Sequence, residues 1–265
     1  MRVFLPESVG QLPGDGKPID YSSLYLPELT EPRRELAQRI EEAALNPQAL
    51  EIFHAGPRSV NEVGAMSELR SRPCGQARRV YTGVLYEAAG FDTLIEDRCR
   101  EIGDALLIMT GAFGPVRLTD DVAAARCAAT CDLPGVGVVA TWWKKHLAPH
   151  MATPQIVLDC CSAPYQRMWR PPAREAAACG LEAYSLGVKV VTKNGLKTVS
   201  HWAKHYRGIV AGALARSPKW PTTLDELLSH TALEEVNDMI DAVVEGEGPY
   251  RTLTLIISSS SRHGD

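Results

Sequence analysis

Aromatic residues are scarce in this 265-residue chain, at 6% with four phenylalanines, and no long apolar run occurs. The longest apolar stretches, Ala105 to Met109 and Thr252 to Ile257, fall far short of the roughly 20 residues that span a bilayer. Pro6 breaks the first residues too soon for a secretory signal, so a cytoplasmic chain without a membrane partner is expected. Neither CxxC nor HExxH is present, which removes the commonest zinc patterns. Seven cysteines is an odd count, and without an export signal reduced thiols are the default. Nor does one sign of charge dominate: 28 Lys and Arg face 32 Asp and Glu, for a net charge of -4. A wholly basic surface is excluded, whereas a local basic patch is not.

What is present is ordinary globular material, 45% hydrophobic and 23% charged. Arg2 to Leu5 reads as an N-terminal strand stopped by Pro6, followed by a Pro/Gly-rich loop. Glu31 to Ala44 reads as a helix with Thr30 as N-cap and Pro32 at its first position. Asn61 to Arg70 is a second helix, and Val80 to Leu85 fits either a strand or a helix. Ile102 to Thr110 suits a buried strand or the close of a helix. Gln155 to Cys161 is a compact buried-strand run. Asn194-Gly195 between β-branched runs marks a hairpin. Trp202 to Arg216 is helical with Tyr206, Val210 and Leu214 on one face, Thr223 to Ser229 is a short capped helix, and Arg251 to Ile257 is a terminal strand. Strands and helices intermix without a repeat or a linker. The expectation is one compact α/β (α+β) domain over residues 1–265, a mixed sheet wrapped by helices.

Charge is unevenly distributed. Lys189 to Lys219 carries seven cations and no acid, while every charged residue from Asp225 to Glu247 is acidic. This is either a solvated basic hairpin beside a solvated acidic helix, or a basic surface that meets phosphates.

Several segments, in order, resemble the YaaA family of peroxide-stress proteins. Tyr81-Thr82-Gly83 matches its YTG motif. Gly111 to Arg117 with Thr119-Asp120 is similar to its GLWGxxRPxD stretch, which Arg126-Cys127 and Leu133 to Trp143 continue. Leu158-Asp159, Ser162 and Tyr165 resemble its LxSxxY element. Val199 to Lys204 with Arg207-Gly208 resembles SHFxKxxKG. The opening loop departs: where the family has roughly PPSEGK, this chain has Pro6-Glu7-Ser8-Val9-Gly10-Gln11, so Val9 and Gln11 replace the glutamate and the lysine. Leu118 replaces the proline after Arg117. The resemblance implies a diverged member, with a compact α/β shell, a helix-hairpin-helix element and a link to DNA protection and iron handling under peroxide stress. It implies no reaction.

The residues themselves offer more than one chemistry. Leu133-Pro134-Gly135-Val136-Gly137 has the form of a helix-hairpin-helix turn, with Asp120 to Thr130 helical before it and Val138 to Leu147 after it. Its glycines let backbone N–H groups reach a phosphate, with Lys144 and Lys145 adding charge; a packed helix connection is the alternative. Arg117, Arg126, Lys204 and Arg207 are expected to line a positively charged cleft for DNA or a small anionic, nucleotide-like ligand, with Ser8, Gln11, Tyr81, Thr82, Asp120 and His201 around it. The second reading is an enzyme of small-molecule metabolism in the same cleft. There Lys204, Ser162, Tyr165 and Asp159 perform acid–base or nucleophilic work, Lys204 being activated by Arg207 one turn away. Ser8, Cys127 and Cys161 are further candidate nucleophiles. His201 and His205, His146 and His150, and Cys127 and Cys131 have helical metal-pair spacing, but no third ligand accompanies them, so neither metal nor cofactor is expected. Iron sequestration is thus the weakest reading.

Overall fold

A computed structural model describes residues 1–151, 156–199 and 202–258. Its main sheet has eight strands: β1 (Arg2–Pro6), β2 (Leu106–Thr110), β3 (Gly114–Arg117), β4 (Ile156–Asp159), β5 (Glu182–Thr192), β6 (Gly195–Thr198), β7 (Met239–Glu245) and β8 (Tyr250–Ile257). The order is β7-β8-β5-β4-β1-β2-β3, with β6 folded back on β5. The five strands from β8 to β2 are mutually parallel, and β3 and β7 close the edges antiparallel. All five residues of β2 are buried, as befits a parallel strand covered on both faces. One apolar cluster runs from Val3 to Ile257, so the chain is a single compact α/β domain.

Five helices matter for the site: α1 (Thr30–Ala44), α2 (Val84–Ala89), α3 (Val139–Leu147), α4 (Ala163–Trp169) and α5 (Ala203–Arg216). On α5 the expected face of Tyr206, Val210 and Leu214 is buried. Gly208 and Gly212 bring it against α2 so closely that a Cβ at either position would lie 2.1 Å from the Leu85 carbonyl or 2.2 Å from that of Ala89. On α1, the fully buried Arg33 donates to the carbonyls of Tyr25, Leu26, Phe113 and Pro115. Burial pushes this guanidinium down to about 10, and no carboxylate among the described residues forms an ion pair with it.

Several local expectations need correction. No helix-hairpin-helix forms around Leu133 to Gly137. Asp132–Leu133 and Gly137–Val138 pair as a two-stranded β-hairpin, and the segment before it is irregular apart from the short strand Asp121–Val122. Alanine-rich composition favours a helix, but Asp121–Val122 is drawn into pairing with Gly75–Gln76. The acidic stretch is two short helices, Leu224–Leu228 and Thr231–Glu234, followed by edge strand β7. Charges on an exposed edge strand discourage further pairing. Thr30 lies inside α1 rather than capping it, its hydroxyl donating to Pro27 O at 2.6 Å. Val80 to Leu85 is neither strand nor helix throughout: the short helix Ala77–Val80 ends there, Tyr81 bridges to Gln11, and α2 begins at Val84.

Candidate functional site

From β1 the chain crosses to β2 on one side, then returns to place β4 on the other. Strand order reverses at β1, and in such sheets the crevice beyond the carboxyl ends of the strands at the reversal is where ligands bind. The loop following β1 is Glu7-Ser8-Val9-Gly10-Gln11. It is stitched down on both sides: Thr82 N donates to Gly10 O at 2.9 Å, and Leu12 N to Val80 O at 2.8 Å. Gln11 completes the clasp, its Nε2 donating to the carbonyls of Ser8 and Ala125 while its Oε1 accepts from Ala125 N at 2.7 Å. The Gln11 amide is therefore committed to backbone rather than free for a ligand.

Glu7 continues the strand ladder, its N–H reaching Met109 O at 3.0 Å. Its Oε1 accepts from Gly111 N and from the Tyr165 hydroxyl, each at 2.9 Å. Gly111 is required here, because a Cβ would lie 1.9 Å from the Cys127 carbonyl. The residue is half-buried overall, but its Oε2 is enclosed and has no hydrogen-bond partner among the described residues. Burial pushes the carboxyl up to about 8, against the lowering effect of its two donors.

Glu7 lines a cavity of about 170 Å³ together with Ser8, Phe53, His54, Cys127 and Tyr165. A neighbouring cleft of about 320 Å³ shares Val9, Gln11, Ala125 and Arg126 with it and adds Thr82, Arg72 and Glu62. Arg126 pairs with Glu62 at 3.1 Å; half-buried Arg72 has no ion-pair partner among the described residues. Cys127 lines the cavity, and its thiol is pushed up by the neighbouring Cys131 and by burial, while Cys131 is lowered by Cys127.

Ser8, Gln11, Thr82, Arg126 and Tyr165 thus gather at the crevice, whereas buried Tyr81 lines a separate cavity with Arg78, Arg79 and Tyr86. The four expected cations do not converge. Arg117 pairs in register with Leu107 near the start of β2, the opposite end from Gly111, and is held by Asp104 at 2.7 Å, by Asp120 and over the Tyr25 ring. Asp120 Oδ2 accepts from Tyr25 N and Arg117 N, a structural clasp. Arg207 Nε donates to Leu186 O at 2.8 Å, and Lys204 is exposed. Of the enzyme set, Ser162 is exposed, Tyr165 serves Glu7, and buried Asp159 has both oxygens engaged by Cys161 N and Arg170. Among the described residues no hydrogen bond joins any of these four to another. Lys144 and Lys145 lie on the exposed face of α3. His201 lies outside the described residues, and among those described no cluster of metal-binding side chains occurs. No helix among them is long and apolar enough to cross a membrane.

Glu7, Arg72, Glu62 and His54 were not singled out from sequence. Glu7 directly follows the first strand, a position the strand-end rule flags; for Arg72 no sequence signal exists.

The family model described as "Peroxide stress protein YaaA" matches residues 11–231. A UPF0246 protein of Streptomyces coelicolor is 33% identical over 260 residues, covering 95% of this chain and 94% of the relative. A UPF0246 protein of Corynebacterium efficiens is 32% identical over 266 residues, covering 97% and 100%. An uncharacterized protein of Campylobacter jejuni is 27% identical over 207 residues, or 76% and 78%.

Proposed function

We propose, for a chain that belongs to the YaaA family of peroxide stress proteins, that the crevice beyond β1 binds a small anionic, nucleotide-like ligand. The observation that carries this reading is the pair Arg72 and Arg126 in one cleft of about 320 Å³, which shares lining residues with a second cavity over the strand ends. Two half-buried guanidiniums can form several charge-assisted bonds to one phosphate. The Thr82 hydroxyl adds a neutral donor on the rim. The dimensions suit a mononucleotide rather than a duplex. The hairpin that would have favoured DNA lacks the flanking pair of helices that turns such a loop toward a backbone.

Calorimetric titration with nucleoside monophosphates and with inorganic phosphate tests the proposal. Binding should weaken at least tenfold in Arg126→Ala and in Arg72→Ala. Glu62→Gln, which frees Arg126 from its carboxylate, should strengthen it. Tight binding of a DNA duplex with a steep salt slope, unaffected by Arg126→Ala but reduced by Lys144→Ala with Lys145→Ala, would replace this reading with the duplex one.

A further inference from the structure

His54 is one of two non-glycine residues among those described with a positive φ, at 49°. It ends the short helix Ala49–Ile52, where His54 N donates to Glu51 O at 3.0 Å and Ala55 N to Leu50 O at 2.7 Å. These are the paired bonds of a left-handed helix end, a position that glycine fills without cost. A residue with a Cβ pays there in backbone strain. Position 54 therefore carries a side chain where the backbone alone favours none, and strain kept in this way directs attention to what the side chain meets.

What it meets is the cavity over the strand ends. Exposed His54 lines that cavity, and its Nε2 lies 3.3 Å from Thr130 O, on the loop that carries Arg126 and Cys127. A carbonyl oxygen only accepts, so in the neutral ring Nε2 bears the hydrogen and Nδ1 keeps a lone pair. Among the described residues no donor hydrogen-bonds to Nδ1. Other polar groups of the cavity are already engaged: the Tyr165 hydroxyl serves Glu7, and the Gln11 amide spans its own loop. Phe53, Val9, Ala125 and Ala128 give the wall an apolar character. The volume of about 170 Å³ matches one six-membered ring, since a cavity of roughly 150 Å³ holds benzene. Arg126 lines both this cavity and the adjoining cleft, so an anion held in the cleft leaves the rest of its molecule beside the cavity.

We propose that this cavity is the ring subsite of the ligand and that His54 sets its specificity, Nδ1 accepting an N–H from a single six-membered heterocycle. The inference rests on the reading of the adjoining cleft as an anion site, and it narrows that ligand to a pyrimidine nucleotide. The phosphate meets Arg72 and Arg126. Uracil offers a ring N–H and cytosine an amino group to His54, whereas the fused rings of a purine exceed the space.

Calorimetric titration of the full chain with uridine, cytidine, adenosine and guanosine monophosphates and with inorganic phosphate tests the inference. The two pyrimidine nucleotides should bind about tenfold more tightly than the purine nucleotides or phosphate. His54→Gly removes the imidazole and relieves the left-handed strain, so its thermal midpoint should stay near that of wild type while uridine monophosphate binds no better than phosphate. His54→Phe keeps a ring without an acceptor and should show the same loss. Phosphate binding itself should be unchanged in both variants. In ¹⁵N spectra of the neutral imidazole, Nδ1 should carry no hydrogen in the free protein and should shift when uridine monophosphate binds. A hydrogen on Nδ1 in the free protein overturns the inference regardless of any ligand. Equal binding of purine and pyrimidine nucleotides, or full binding of uridine monophosphate to His54→Phe, overturns the ring subsite; phosphate binding lost in Arg126→Ala then leaves the anion site standing. If neither the nucleotides nor phosphate binds to wild type, the anion site falls and the ring subsite falls with it.

Discussion

β1 and β4 are parallel neighbours, and each delivers a buried carboxyl at its carboxyl end, yet the two ends are built differently. At the end of β4, Asp159 is wholly buried and wholly partnered. Oδ1 accepts from Cys161 N at 2.9 Å, and Oδ2 meets Arg170, which also reaches the Ser185 hydroxyl and lies over the Tyr250 ring at 4.9 Å. At the end of β1, Glu7 has two neutral donors on one oxygen and, among the described residues, no partner on the other. Burial raises both carboxyls, but only Asp159 has a guanidinium to oppose it. One end is locked as an ion pair, while the other keeps an exchangeable proton beside a cavity. That contrast separates scaffold from site on the same sheet edge.

The strongest way to break the contrast is to remove the locked carboxylate. Asp159→Ala leaves Arg170 without its ion-pair partner and Cys161 N without an acceptor. We expect a loss of about 3 kcal/mol in denaturant unfolding, at the lower end for a broken buried pair because Arg170 retains some access to water. A change under about 1 kcal/mol would show that Asp159 is not the anchor of that strand end.

Glu7→Gln should act in the opposite sense and with pH. The folded carboxyl lies near 8 and the ordinary value is 4.5, so between those limits the folded state holds the proton that the unfolded chain has released. Stability from this group is therefore fully present below about pH 4.5 and is lost as pH rises toward 8. The amide variant lacks that loss. Measured against wild type, its stability at pH 8 should gain about 2–3 kcal/mol relative to the same difference at pH 5, after allowance for the residue's partial exposure. An unchanged difference at the two pH values would mean that the carboxyl is solvated.

Much of the scaffold half of this comparison was legible in the sequence. The run Gln155 to Cys161 announced a buried strand, Pro6 closed β1, and Asn194-Gly195 gave the β5–β6 hairpin. The opening loop, Thr82 of the YTG motif and Tyr165 of the LxSxxY element come together in space at the crevice. What sequence could not supply was pairing between distant segments. Asp121–Val122 reads as helix until Gly75–Gln76 is placed beside it, and Arg117 looks like a ligand cation until Asp104 and Tyr25 are seen to hold it. Glu7 carries no motif or spacing of its own in the sequence. Its significance depends on Gly111 and Tyr165, which lie 104 and 158 residues away.

Position 11 sharpens the comparison further. The Gln11 amide both donates and accepts across the loop, and a lysine there has no acceptor for Ala125 N. Gln11→Lys, the residue of the resembled loop, should cost about 1–2 kcal/mol by leaving that N–H unsatisfied. Protection of the Ala125 amide in hydrogen exchange should fall with it. If exchange at Ala125 is unchanged, the clasp is not what fixes the loop over the cavity.

The smallest expected effect concerns the hydroxyl that joins the two strand ends. Tyr165 sits on α4, just after β4, and reaches across to Glu7 Oε1 on the β1 side. A donor favours the charged form of the carboxyl it serves, so this hydroxyl holds Glu7 below where burial alone would put it. Removing it in Tyr165→Phe should move the Glu7 midpoint upward by about one unit or less, since Gly111 N remains in place. Burial also keeps the Tyr165 phenol far above its usual range, so it acts as a neutral donor through the whole window of the titration. The ring stays to fill the cavity wall, and overall stability should change by no more than about 1 kcal/mol. A downward shift of the Glu7 midpoint, read from its carboxyl ¹³C resonance, would reverse the assigned direction of the bond, making the carboxyl the donor and the tyrosine oxygen its acceptor.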